Sequence, residues 1–287
     1  MSAIRNALTV DVEDYFQVQA FADTVPRAAW EELPRRVEAN TERLLEVFAR
    51  AGVQGTFFTL GWVAERHPAL VRRIVAGGHE LASHGHWHRR VDRQRPEEFA
   101  EDVARAKRTL EDAGGVAVAG YRAPTFSLGA RATPWAFDIL ARTGHRYSSS
   151  VYPVRHDLYG EPDAPRQPYR HPGGVLWELP MTTLRVAARN LPCSGGGFFR
   201  LLPYRLFRAL LRRCNTAQRA PGVFYVHPWE IDPGQPRMAA GRRACFRHYH
   251  NLGRTEARLE RLLRDFAWDR MDRAFADTLA LPAAVPA

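Results

Sequence analysis

Lysine is almost missing from this chain of 287 residues. Lys107 is the single one, so arginine carries nearly all the positive charge. The net charge is +10 and the isoelectric point about 10.1. Such a balance invites a nucleic-acid reading, but the arginines are spread along the whole chain and no basic stripe alternates with aromatics. Nucleic acid is therefore not expected as a partner. An anionic polymer or a membrane surface suits a diffuse basic surface better. Cysteine is scarce too. Cys193, Cys214 and Cys245 are odd in number and hold no Cys-x-x-Cys pair, which argues against a disulfide framework or a zinc–thiolate site. No run of about 18 apolar residues occurs, so no transmembrane helix is expected. The opening residues Met1-Ser2-Ala3-Ile4-Arg5-Asn6 run into an apolar strand and then acidic residues, without the apolar core of a secretory signal. The expected location is the cytoplasm.

What is present is histidine in one place. Four of the eleven histidines fall in residues 79–88, His-Glu-Leu-Ala-Ser-His-Gly-His-Trp-His. A strand running into a tight Gly-containing turn would put His84 and His88 at the end of a sheet, and two imidazoles four residues apart can close on one ion. A polar loop that happens to be rich in histidine is the competing reading.

Around this stretch, apolar strands alternate with helical patterns. Residues 7–12 read as a strand, followed by a helix from Pro34 to Gly52 and a strand from Val53 to Leu60. A helix from Pro68 stops at Gly77-Gly78, and the strand at 79–83 follows. The pattern repeats with a helix from Pro96 to Gly114, a strand over 116–121, a helix over 133–143 and a strand over 146–151. Residues 155–174 break the rhythm as a long loop. Short strands at 175–179 and 223–226 flank a glycine-rich loop at 190–198 and a helix at 203–213. A polar Arg/His segment at 241–250 leads to an amphipathic helix over 254–266. The Ala/Pro tail from 281 reads as frayed. Alternation of this kind predicts a parallel β/α architecture, with chemistry at the strand C-terminal ends.

Those ends hold the candidates. Asp11, Glu13 and Asp14 place three carboxylates in four positions after an apolar strand, which is costly unless a cation or solvent neutralises them. Two histidines and a carboxylate make an open hydrolytic metal site, in which a second carboxylate can take the water proton. His227, after Phe224-Tyr225-Val226, is the candidate acid. Arg122 can pair with a carboxylate bidentately. Gly195-Gly196-Gly197 lacks the context of a phosphate cradle and reads as a flexible cleft-edge loop.

In order, Thr-Val-Asp-Val-Glu-Asp, Gly-Thr-Phe-Phe, His-Glu-Leu-Ala-Ser-His-x-x-x-His, Tyr-Arg-Ala-Pro-Thr-Phe-Ser and Val-His-Pro-Trp-Glu resemble the polysaccharide deacetylases of the NodB-homology group, carbohydrate esterase family 4. The opening Asp-Val-Glu-Asp-Tyr-Phe and the run from Phe246 to Met271 resemble the subfamily of exopolysaccharide loci linked to PEP-CTERM/exosortase sorting. The resemblance implies a distorted (β/α) barrel forming one catalytic domain over 1–287. Its deacetylase motifs lie within 7–230, and a subfamily-specific part, about 151–280, packs on the barrel. It implies Asp11 as general base, Glu13 or Asp14 with His84 and His88 as ligands of a divalent metal (zinc first), Arg122 orienting the base and His227 as general acid. The backbone N–H of Thr125 would help hold the oxyanion, while Trp177 and Trp229 would line the acetyl or sugar pocket, with core packing the expected role of Leu179. His86 is expected at the rim. Gly85 stands where Ser or Thr is usual, and Ser148 where Asp is frequent. The implied activity is removal of N-acetyl groups from amino sugars of a bacterial exopolysaccharide or its lipid-linked precursor, at the inner face of the membrane. The alternatives are a C–N hydrolase of the same fold acting on a small non-sugar amide, and a non-catalytic glycan-binding homologue.

Overall fold

The computed structural model describes residues 4–171 and 174–280, so the tail from 281 lies outside the described residues. Its first half alternates as the sequence predicts, in the order β1 (Arg5–Val12), α1 (Val37–Ala51), β2 (Thr56–Thr59), α2 (Gly61–Arg66), α3 (Pro68–Ala76), β3 (Glu80–Ser83), α4 (Pro96–Gly114), β4 (Gly120–Tyr121), α5 (Trp135–Arg142) and β5 (Tyr147–Ser148). Local chemistry sets these boundaries. Pro68 and Pro96 occupy the first helical turn, where a missing N–H costs nothing, and the Glu98 carboxylate accepts from the Arg95 amide at 2.9 Å.

The second half contains β6 (Tyr169–Arg170), β7 (Trp177–Glu178), β8 (Thr183–Val186), β9 (Arg189–Pro192), α6 (Gly196–Leu201), α7 (Tyr204–Gln218) and β10 (Val223–Val226). It ends with α8 (Arg242–Tyr249), α9 (Leu252–Asp265), β11 (Ala267–Asp269), α10 (Met271–Ala274) and α11 (Ala276–Ala280). The main sheet runs β10-β1-β2-β3-β4-β5-β7-β6, with β11 also paired to β1. Every pairing is parallel except β6–β7. The sheet curls into an incomplete (β/α) barrel, the class expected.

Several strands are shorter than their apolar runs. Over 116–121, the Val118 amide goes to the Glu111 carboxylate instead of a ladder. Over 146–151, the amides of Ser150 and Val151 both donate to Glu178 Oε1 at 2.8 Å, so pairing stops at Ser148. The glycine-rich stretch is not a flexible loop. Residues 189–192 pair antiparallel with β8, and α6 starts at Gly196 because the backbone runs against Glu230, where a Cβ would lie 1.8 Å from Oε2.

Alternation along the strands sorts side chains between two cores. On one face, Leu8, Val10, Val12 and Phe57 pack outward against α1, α3, α7 and α9 residues such as Phe48, Leu70, Phe207 and Leu259. On the other, Ala7, Phe58, Ala82, Leu179 and Tyr225 fill the barrel interior. Thr9 and Asp11 share the inward parity of Ala7. A carboxylate is thereby carried into the barrel, one step before the end of β1.

Candidate active site

At the C-terminal end of the barrel strands, Glu13, His84 and His88 bring their ligand atoms within 4.8 Å of one another, all buried. Glu13 follows β1. His84 follows β3, its amide bonded to the Thr59 carbonyl at 3.0 Å. Its Nδ1 faces the Arg122 carbonyl at 2.8 Å, so Nδ1 carries the proton and Nε2 is left as the free lone pair. His88 Nε2 approaches Glu13 Oε2 to 2.6 Å, yet that oxygen is a buried atom without a hydrogen-bond partner. A buried carboxylate oxygen with no donor, facing two imidazoles, fits a divalent cation, and the two-histidine, one-carboxylate donor set suits zinc. Burial alone would raise the Glu13 carboxyl, but His88 and His227 hold it down at about 2. Burial pulls the His84 imidazole down to about 4, which keeps it neutral as a ligand must be.

Asp14 lies outside this trio. Its Oδ2 accepts from the amides of Arg36 (2.8 Å) and Val37 (3.0 Å), and its Oδ1 from Tyr15 N (2.9 Å). It therefore caps the start of α1, whose amides have no other intrahelical partner. Burial raises its carboxyl to about 6 even so.

Asp11 stands beside the trio in an ion pair with Arg122, Nη1 donating to Oδ1 at 2.6 Å. Arg122 is fully buried and each of its three nitrogens donates. Nη1 also reaches Thr9 Oγ1 (2.8 Å), Nε the Ser149 carbonyl (3.0 Å) and Nη2 Ser149 Oγ (3.2 Å), while Phe58 covers its face at 4.1 Å. So held, the guanidinium fixes one oxygen of Asp11 and leaves Oδ2 toward His227, whose Nε2 lies 3.9 Å away and 3.5 Å from Glu13 Oε1. The His227 side chain is 18% exposed, the most open of these groups, which marks the side from which a substrate can enter. Burial would lower its pKa, but Glu13, Glu230 and Asp11 outweigh that and hold it up at about 9.

The other candidates are placed as follows. Thr125 follows β4 with φ +57°, and Phe126 with φ +48°. Two successive left-handed residues turn the backbone sharply beside Arg122, a conformation that non-glycine residues adopt at a cost. Trp229 donates its indole N–H to Glu13 Oε1 at 3.2 Å and stacks on His227 at 5.0 Å, so it holds the ligand and the acid instead of an open pocket. Trp177 opens β7 in register with Tyr147 and packs half-buried against the barrel-interior cluster, with the Arg170 guanidinium 4.5 Å over its ring. Leu179 is part of the barrel core. Ser148 spends its hydroxyl on Ser150 Oγ at 2.8 Å.

His86 is fully buried against Gly61, not at the rim. The turn that carries it is held by Asp102, which accepts from the amides of His86 (2.8 Å) and Trp87 (3.2 Å). Gly85 has φ +75°, and a Cβ there would sit 2.9 Å from Asp102 Oδ2. A Ser or Thr there would be strained, and Asp102 instead holds the turn through its backbone amides. The sequence showed Glu230 only as a neighbour of His227 in the Val-His-Pro-Trp-Glu motif, without a role, and Arg200 not at all. Glu230 Oε2 lies 3.2 Å from His227 Nδ1 and accepts the His227 amide at 2.9 Å, while Arg200 Nε donates to Oε1 at 2.9 Å. The i to i+3 spacing of His227 and Glu230 was a readable signal for the first of them. Nothing local pointed to Arg200.

Residues 23–147 match the family profile described as Polysaccharide deacetylase, and residues 149–276 one described as Domain of unknown function (DUF3473). A chitooligosaccharide deacetylase from Bradyrhizobium sp. (strain ANU 289) is 30% identical over 112 residues, 39% of this chain and 48% of that protein. A peptidoglycan-N-acetylglucosamine deacetylase from Bacillus cereus is 27% identical over 96 residues, 33% of this chain and 35% of that one. The chain thus spans about half or less of the length of these curated relatives. Among solved structures, a Mycobacterium smegmatis protein assigned as a polysaccharide deacetylase shares the fold with a TM-score of 0.59 and 24% identity, over 100% of this chain and 96% of that one. The profile match, the names of these relatives and the shared barrel agree with the strand-end motifs: residues 23–147 are similar to the polysaccharide deacetylases, and the whole chain shares their fold.

Proposed function

We propose that this protein is a metal-dependent N-deacetylase acting on N-acetylated amino sugars of a bacterial exopolysaccharide or its lipid-linked precursor. The observation that carries the reading is the convergence of Glu13, His84 and His88 beside the Asp11–Arg122 pair, with His227 opposite. A divalent cation at the trio, zinc by donor set, would acidify a water and polarise the acetamide carbonyl. Asp11 takes the proton from the attacking water as the new C–O bond forms. The fixed hydrogen bond from Arg122 directs its free oxygen toward the site. The backbone N–H of Thr125 would help hold the developing oxyanion. When the C–N bond breaks, His227 delivers its proton to the departing amine. Acetate and a free amino sugar result.

The exopolysaccharide substrate, and membership of the PEP-CTERM/exosortase subfamily, rest on the residue resemblances at 11–16 and 246–271. Among the described residues no helix is long and apolar enough to cross a membrane. The net charge of +10 suits peripheral contact with an anionic membrane face, where a lipid-linked precursor would be met. Acetate release from N-acetylated oligosaccharides tests the reaction. The zinc-loaded protein should be active, chelation should abolish turnover, and Asp11→Asn should reduce it roughly 10²- to 10⁴-fold. Activity indifferent to both would refute the mechanism.

A further inference from the structure

The groups that bind and activate water and those that release the amine fall on different parts of the chain. Asp11 and Glu13 precede residue 23, and His84, His88 and Arg122 lie within 23–147. His227, Trp229, Glu230, Arg200 and His248 all lie within 149–276, the segment whose family has no assigned role.

Within that segment the imidazole of His227 is fixed in two independent ways. Its plane is set by the Trp229 ring at 5.0 Å and 20°, itself stacked on His248 at 4.1 Å and 14°. Its rotation about the side-chain axis is set by Glu230, 3.2 Å from Nδ1. Because a carboxylate only accepts, Nδ1 keeps its hydrogen and Nε2 is the nitrogen turned to the site. Glu230 is 1% exposed, and a buried carboxylate of this kind needs a compensating charge. Arg200, 2% exposed, provides it and is itself immobilised, donating to the carbonyls of Arg247 (3.1 Å), His248 (2.8 Å) and His250 (2.8 Å) at the end of α8. The arrangement is a relay of fixed groups, from α8 through Arg200 and Glu230 to His227.

We infer that residues 149–276 supply the amine-releasing half of the active site, with Glu230, clamped by Arg200, as the positioning residue for His227. This rests on the deacetylase reading above. It assigns the segment a catalytic contribution to this barrel in place of an accessory one. In chemical terms, the C–N bond of an acetamide breaks only as the nitrogen is protonated, because an amide anion is a very poor leaving group. An activated aryl ester leaves without a proton. Misplacing His227 therefore harms the first substrate and spares the second.

The experiment uses the full-length, zinc-loaded chain with two probes, an N-acetylated chitooligosaccharide and 4-nitrophenyl acetate. For Glu230→Gln, kcat on the oligosaccharide should fall roughly 10- to 100-fold with KM little changed, a part of the 10²–10⁴-fold that general acid–base catalysis contributes. Ester hydrolysis and zinc content should stay close to wild type, while the melting temperature falls, because Arg200 is left buried without its counter-charge. His227→Ala should show the same split with a larger loss. Glu230→Asp keeps the charge opposite Arg200 but withdraws it from Nδ1, so it should give the same split as Glu230→Gln. Equal losses on both probes overturn the inference, as does failure of both Glu230 variants to fold, which would make Glu230 a fold element only. A wild type that attacks neither probe contradicts the deacetylase reading itself and so is told apart from these outcomes.

Discussion

Glu13 and Glu80 are both buried glutamates on the same barrel, at opposite ends, and their surroundings push them in opposite directions. Glu80, at the start of β3, has a donor on each oxygen. Tyr147 Oη donates to Oε1 at 2.8 Å, and Thr56 Oγ1 (2.6 Å) and the Asp272 amide (3.2 Å) donate to Oε2. Burial, reinforced by Asp272, raises its carboxyl to about 7. Glu13 has one donor, Trp229, and its other oxygen faces imidazoles and has no hydrogen bond. The first carboxylate ties α10 to the barrel floor. The second is arranged as a ligand. Burial alone does not distinguish structure from function; what completes the lone pairs does.

This contrast can be broken or sharpened by substitution. The largest effect should come from Asp11→Asn, with a fall in kcat for acetate release of roughly 10²- to 10⁴-fold and bound zinc retained. Loss of the metal along with activity would instead put Asp11 among the ligands. Next in size, Gly85→Ala should destabilise the fold by about 1–3 kcal/mol, since it forces a left-handed residue against Asp102. Chemical denaturation would show it, and an unchanged midpoint would mean the turn is not set by that contact. At the barrel floor, Glu80 should make stability fall as pH rises. Its folded pKa near 7 exceeds the ordinary value of 4.5, so the folded chain binds more protons between those limits and loses that advantage as they are removed. Glu80→Gln should flatten the melting temperature over pH 4.5–7, and an unaltered slope would assign the dependence elsewhere. Smallest of all, Trp177→Phe should leave KM for oligosaccharides unchanged, because its ring packs against the barrel-interior cluster and under the Arg170 guanidinium. A several-fold rise in KM would return it to the sugar pocket.

Much of this arrangement was legible in the sequence, because strand-end chemistry is local. His84 and His88 are four apart on one turn, and Asp11, Arg122 and His227 each directly follow or close an apolar run. Alternating parity along β1 then sends Asp11 inward. What was not legible depends on distant partners. Glu13 and Asp14 are adjacent acids after the same strand. Only the arrival of the α1 amides at Arg36 and Val37, more than twenty residues later, takes Asp14 away. Arg200, on the short α6 helix, meets Glu230 through tertiary packing, and Asp102 meets the His turn from the middle of α4. The β8–β9 hairpin was hidden because Arg189–Pro192 has no apolar alternation. β11, likewise, is a three-residue addition to the lower half of β1.

The claim on which the rest depends is that Glu13, and not its neighbour Asp14, completes the cation site with His84 and His88. Zinc titration of chelator-stripped protein tests it directly, with Glu13→Gln and Asp14→Asn compared with wild type. The geometry predicts one ion per chain for wild type and for Asp14→Asn, with affinity for Glu13→Gln at least about 10-fold weaker, as loss of a ligand should exceed the 10–100-fold cost of losing its supporting partner. Tight zinc binding by Glu13→Gln together with its loss in Asp14→Asn would contradict it.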